Sequence, residues 1–112
     1  MFQRTYDLAI ADFGLFLQKS SDNSLRAIAL NALGNCYRAK GEYQRAIDYF
    51  EQTLASGEEW VKPYTLLHMG MCWEKLGESK RASDAYQDAL KLSPPAPWSN
   101  MVRLRLKRLA EK

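Results

Sequence analysis

Leu30-Asn31-Ala32-Leu33-Gly34-Asn35-Cys36-Tyr37, followed by Gly41-Glu42 and Arg45-Ala46-Ile47-Asp48-Tyr49-Phe50, has a counterpart 36 positions later: Leu66-Leu67-His68-Met69-Gly70-Met71-Cys72-Trp73, then Gly77-Glu78 and Arg81-Ala82-Ser83-Asp84-Ala85-Tyr86. Between residues 27–54 and 63–90 nine positions are identical, and Leu33/Met69, Tyr37/Trp73 and Phe50/Tyr86 conserve size where identity is lost. A self-match at this period marks a stack of like units, each burying its apolar face on the next. Such a stack offers an extended surface to partners rather than a closed reaction chamber.

Outward from that pair, the spacing predicts only helices. Small residues at Gly34 and Ala46 allow two antiparallel helices of one unit to approach closely, while Tyr37 and Phe50 fill the space beside the contact; Gly70, Ala82, Trp73 and Tyr86 repeat the device. Tyr6, Ala9, Ile10, Phe13 and Leu17 align with Tyr43, Ala46, Ile47, Phe50 and Leu54, so residues 4–19 read as the second helix of a unit whose first helix is missing. Helices are expected at 4–19, 24–40, 43–56, 61–76, 79–92 and 97–111, and no strand. This gives one domain over 1–112: a half unit, full units at 24–56 and 61–92, and a closing helix.

The breaks between helices have local causes. Asp22 and Ser24 can accept from free amides at a helix start. Gly41 and Gly77 stand where a left-handed residue ends a helix. Pro63 suits a first turn, and Pro94, Pro95 and Pro97 cannot continue the helix before them. Cys36 and Cys72 sit at equivalent places on neighbouring helices whose axes should be about 8–10 Å apart, which suits packing rather than a disulfide.

The formal charge of +3 is concentrated at one end. Residues 98–112 carry Arg103, Arg105, Lys107, Arg108 and Lys112 against Glu111, and the rest of the chain is close to neutral. On a helical wheel Trp98, Val102, Leu106 and Leu109 form one stripe with the cations on the other sides, as a cap requires. Met101 and Leu104 fall outside it, as incidental residues of a solvated cap or as a docking face.

Catalytic chemistry has little to build on. His68 is the one histidine, no second histidine or cysteine stands at metal-ligand spacing beside it, and Gly-rich phosphate loops are absent. We therefore expect no enzyme, no metal and no cofactor. Residues 1–20 mix Arg4, Asp7, Asp12 and Lys19 into an amphipathic pattern unlike a signal peptide, and no apolar run is long enough to span a membrane.

The spacings Leu33-Gly34-x-x-Tyr37 and Ala46-x-x-x-Phe50, their second copy in Met69, Gly70, Trp73, Ala82 and Tyr86, and Pro94 beyond Leu90 resemble the tetratricopeptide repeat. The resemblance implies an all-α superhelix of antiparallel hairpins whose first helices line a concave groove. The groove positions it implies are Ile28, Asn31, Asn35 and Arg38 in one unit and Tyr64, Leu67, Met71 and Glu74 in the next, with His68 and Lys75 beside them. The groove should be two-toned: polar at Asn31, Asn35 and Arg38, apolar at Tyr64, Leu67 and Met71. Burial of the apolar patch under the last helix is the alternative.

Chaperone-binding members of that family grip a terminal carboxylate with lysines, asparagines and an arginine at set positions. Here only Asn35 matches, with Asn31, Ala32, Tyr64 and His68 at the others, so the expected ligand is a segment with apolar side chains. The run Tyr6-Asp7-Leu8-Ala9-Ile10-Ala11-Asp12-Phe13, then Lys75-Leu76-Gly77 and Arg103-Leu104-x-x-Lys107-Arg108-Leu109, is similar to the carboxy-terminal domains of periplasmic Tol-Pal-system coordinators. That likeness implies a bacterial envelope scaffold in the periplasm; without it the cytoplasm is equally open. Two other readings stand beside the scaffold: a nucleic-acid binder using the basic last helix and Trp98, and a module that self-associates through the first helix, where Phe2, Phe13 and Phe16 lack cover.

Overall fold

The computed structural model describes residues 2–92 and 96–111. Pro94, part of the repeat pattern, lies outside them. Among the described residues the order is α1 (Phe2–Lys19), α2 (Asn23–Ala39), α3 (Tyr43–Ala55), a 3-10 turn (Glu59–Val61), α4 (Lys62–Lys75), α5 (Ser79–Leu92) and α6 (Ser99–Ala110), with no strand. The fold is the expected all-helical stack. No helix among them is long and apolar enough to cross a membrane.

Helix ends follow from single residues. Asp22 accepts from the Leu25 amide at 2.9 Å and so caps α2, whereas Ser24 is already inside the helix. Gly41 (φ 83°) and Gly77 (φ 78°) take the left-handed conformation that a side chain resists. That geometry lets the next amide, Glu42 or Glu78, donate back to Tyr37 O or Trp73 O at 2.9 Å, closing each first helix. The chain then re-enters a helix at once, giving two tight hairpins, α2–α3 and α4–α5. Pro63 occupies the first turn of α4, where no intrahelical amide is needed.

The hairpin contact differs in one respect from the sequence reading. Gly34 does not simply let two backbones approach: a Cβ there would stand 2.6 Å from Cδ1 of Phe50, and one at Gly70 would stand 2.7 Å from Cδ1 of Tyr86. Each glycine is the space into which the aromatic ring of the second helix fits. Both rings are fully buried. Outside this contact a second device repeats, with Arg45 over the Tyr37 ring at 5.2 Å and Arg81 over the Trp73 ring at 4.9 Å.

Two apolar clusters fill the stack. Leu33, Tyr37, Ala46, Ile47, Phe50, Met69 and Cys72 form the first, with Ile10, Phe13 and Leu17 of α1 against it. Leu67, Ala82, Tyr86, Ala89, Val102 and Leu109 form the second. The stripe read for the last helix is the face α6 buries, Val102 completely, while Met101 and Leu104 stay exposed. Both cysteines are free and buried, and desolvation pushes the Cys72 thiol up to about 11. They are packing residues, not nucleophiles.

Candidate functional site

α2 and α4 lie side by side, joined where the Thr65 hydroxyl donates to Asn31 Oδ1 at 3.0 Å. α6 continues the row against α4 and α5. Where the three meet, a cleft of about 320 Å³ is lined by Arg38 of α2, Tyr43 of α3, Met71, Glu74 and Lys75 of α4, and Arg105 of α6. Asn35 accepts from Arg38 Nε at 3.3 Å and steers that side chain from one turn back. Glu74 accepts from Arg105 Nη1 at 3.0 Å and also from the Tyr86 hydroxyl. Burial first, and Glu74 second, hold the Tyr86 phenol far above the ordinary range, so it stays a donor. Three cations and one carboxylate therefore line the cleft, and that carboxylate is already bonded to Arg105 and Tyr86.

The sequence-predicted groove residues divide into two groups. Arg38, Met71, Glu74 and Lys75 converge on the cleft. Asn31 is spent on the α2–α4 contact, and Tyr64, though half exposed, sets its ring 6.2 Å from that of Trp98. Leu67 is 6% exposed in the cluster with Val102 and Leu109, and Met71 is partly buried against the same cluster. The apolar patch is thus covered in part, Leu67 by α5 and α6 together, which goes part of the way to the alternative raised above. Ile28 lies elsewhere, in an apolar groove of about 300 Å³ with Phe13, Phe16, Leu25 and Ala29, Asp12 at its rim. The two tones exist but are exchanged: apolar beside α1, charged beside α6.

His68 is partly buried and does not line the cleft. Its ring stacks on Phe50 at 5.9 Å, and Nδ1 is buried without a hydrogen-bond partner. Desolvation, with Arg38 adding a smaller repulsion, lowers its pKa to about 4. Since an unfolded imidazole titrates near 6.5, the unfolded chain binds the extra proton first as pH falls. Stability is therefore full above about pH 6.5 and declines by up to about 3 kcal/mol towards pH 4. Urea melts across that window should show the loss, and His68→Gln should flatten it relative to the unmodified chain.

Two cleft residues escaped the sequence reading. Tyr43 is the first residue of α3, assigned by pattern to a packing helix. Arg105 was counted among scattered surface cations, although its distance of three from Val102 and four from Leu109 places it at the edge of the buried stripe. No group of three metal-ligating side chains is found among the described residues.

Residues 29–59 and 64–95, together more than half of the chain, each match the tetratricopeptide-repeat family. PcrH from Pseudomonas aeruginosa superposes with a TM-score of 0.81 over 95% of this chain and 80% of that one, at 18% identity. The TPR2AB domain of yeast Sti1, solved as a complex with pHSP90, gives a TM-score of 0.80 over 96% of this chain at 25% identity; the chain spans 42% of that one. No curated protein matches the sequence.

Proposed function

This chain belongs to the tetratricopeptide-repeat family, and from that premise we propose that it is a non-catalytic scaffold holding an acidic segment of a partner protein in the cleft between α2, α4 and α6. The observation that carries the reading is the charge of that cleft: Arg38, Lys75 and Arg105 around a single, already bonded Glu74. Arg38 can present its planar fork to a carboxylate, and Lys75, exposed on the rim, supplies a mobile point charge. Met71 offers an adaptable apolar floor for the stem of the acidic side chain. The Sti1 neighbour shows that a protein ligand can sit on this architecture. This revises the expected ligand from apolar to acidic, because Leu67 is inside the core. A setting in a bacterial envelope complex is part of the proposal and rests on the resemblance carried by the Tyr6–Phe13, Lys75–Gly77 and Arg103–Leu109 runs.

A labelled Glu- and Asp-rich peptide, titrated against the chain by fluorescence anisotropy, should bind more tightly than its Gln/Asn counterpart, with affinity falling as salt rises. Arg38→Ala together with Lys75→Ala should weaken it by about tenfold or more, two charge-assisted contacts being lost. Equal affinity for the two peptides would sink the reading. Tighter, steeply salt-dependent binding of RNA or DNA, lost on neutralising Arg103, Lys107 and Arg108, would instead favour the nucleic-acid alternative.

A further inference from the structure

The repeat shows, twice within one molecule, what a second helix of this stack carries on its flank. α2 runs antiparallel to α3, from the Asn23 side chain, whose Nδ2 donates to Ser56 O at 2.9 Å, up to Gly34 over the Phe50 ring. α4 covers α5 in the same way, with Gly70 over Tyr86. α1 is the third second-type helix, yet among the described residues no helix lies on its matching flank. Phe13 is the counterpart of Phe50 and Tyr86 but is only partly buried. Phe16 is 37% exposed where its counterparts Thr53 and Ala89 are 0%, and Leu25 is 47% exposed where Val61 is 3%. These side chains line the apolar groove of about 300 Å³ described above, so the groove has the place that a first helix takes in the two full units.

One position differs in charge from its counterparts: Asp12 of α1 stands where the two full units have Tyr49 and Ala85. Tyr49 stacks on Tyr37 at 5.4 Å, three residues beyond the glycine of α2. The residue of α1 matching Tyr49 is Asp12, at the rim of the groove and with no ion pair among the described residues. The same register that puts an aromatic opposite Tyr49 would put the third residue after the crossing opposite Asp12.

We infer that the α1 flank receives an amphipathic helix from a partner protein, with glycine or another small residue over Phe13 and a basic residue three positions later facing Asp12. A partner rather than a second copy is indicated by charge and register: of the three glycine-bearing helices, α2 and α4 are already seated, and the third residue after the glycine is Tyr37, Trp73 or, in α1 after Gly14, Leu17, where Asp12 calls for a cation.

The test uses the intact chain and a labelled, end-capped peptide of residues 22–40 carrying Tyr37→Lys. It should bind about tenfold more tightly than the peptide with Tyr37 retained, and Asp12→Asn in the chain should erase that difference. Gly34→Leu in the peptide should weaken binding by at least about tenfold. Phe16→Asp and Leu25→Asp in the chain, both at exposed positions, should abolish binding while leaving the melting curve in place. Binding unaffected by Phe16→Asp would overturn the inference, as would no binding of any peptide. Sedimentation showing a dimer that Phe16→Asp dissolves would overturn it in favour of a second copy.

Discussion

Gly34→Leu is expected to lower the melting temperature by about 10 °C or more, or to prevent folding. The Cβ alone would stand 2.6 Å from a ring carbon of Phe50, and that ring is walled in by Leu33, Ile47, Met69 and Cys72 and has no solvent side to move towards. Overpacking of this kind costs about 1–3 kcal/mol, rising with each further carbon, from a total stability of about 5–15 kcal/mol. At 112 residues a loss of 2 kcal/mol moves the midpoint by roughly 10 °C. Even Gly34→Ala should destabilise, although alanine gains about 1 kcal/mol of helix propensity over glycine. Gly14→Ala in α1 supplies the contrast, since an added Cβ there meets nothing within 4 Å and only the propensity gain of up to about 1 kcal/mol is left. Opposite signs at two helical glycines isolate the ring contact as the cause. Phe50→Leu should ease the Gly34→Ala penalty, a coupling of about 0.5–3 kcal/mol for residues in contact. A thermal midpoint indifferent to Gly34→Leu would count against the whole hairpin geometry.

The same contact explains why so much of the fold could be read from residues alone. A glycine, an aromatic and their spacing are local properties, and they occur twice in register, so each copy confirms the other. Helix ends were legible for the same reason: Asp22, Gly41, Pro63 and Gly77 act within a turn of where they stand. The form of the contact was less legible. Spacing showed that Gly34 and Phe50 belong together but not that the ring points into the glycine, because that depends on the rotation of α3 about its own axis.

The site was legible only in part, and the missing part has one cause. Which groove positions stay open depends on where the last helix lies, a long-range fact that no repeat arithmetic contains. Leu67 and Met71 match the exposed positions of a groove helix, but α6 packs over the first and partly over the second. Arg38 and Glu74, near the ends of their helices, escape that cover and gain Arg105 as a neighbour. His68 illustrates a related limit: one step off the groove stripe, its ring turns under Phe50 instead of into solvent. At α1 the problem is reversed. The pattern already leaves Phe13 and Phe16 without cover, and what the structure adds is that Leu25 and Ile28 of α2 share the same open side.

Val102→Asp should detach α6 while leaving the two hairpins folded. Val102 is fully buried in an apolar cluster with Leu67, Tyr86, Ala89 and Leu109, so an aspartate there would be a charge taken out of water among apolar side chains. Such a change costs about 3 kcal/mol or more, and the cheaper response for a terminal helix is to leave the stack. The Arg105–Glu74 pair, about a quarter to a third exposed, is weak alone and would not offset that loss. Amide exchange should then lose protection over residues 99–110 and keep it over α2 and α3. The cleft should lose one of its three cations, so acidic-peptide affinity falls, and freed Glu74 should repel the ligand that Arg105 had helped to hold. Leu104→Asp, at a half-exposed position on the same helix, should change neither exchange nor binding. If Val102→Asp weakened binding with α6 amides still protected, Arg105 would have to act from outside the cleft. If exchange were lost without any change in affinity, the charge of α6 would not belong to the site at all.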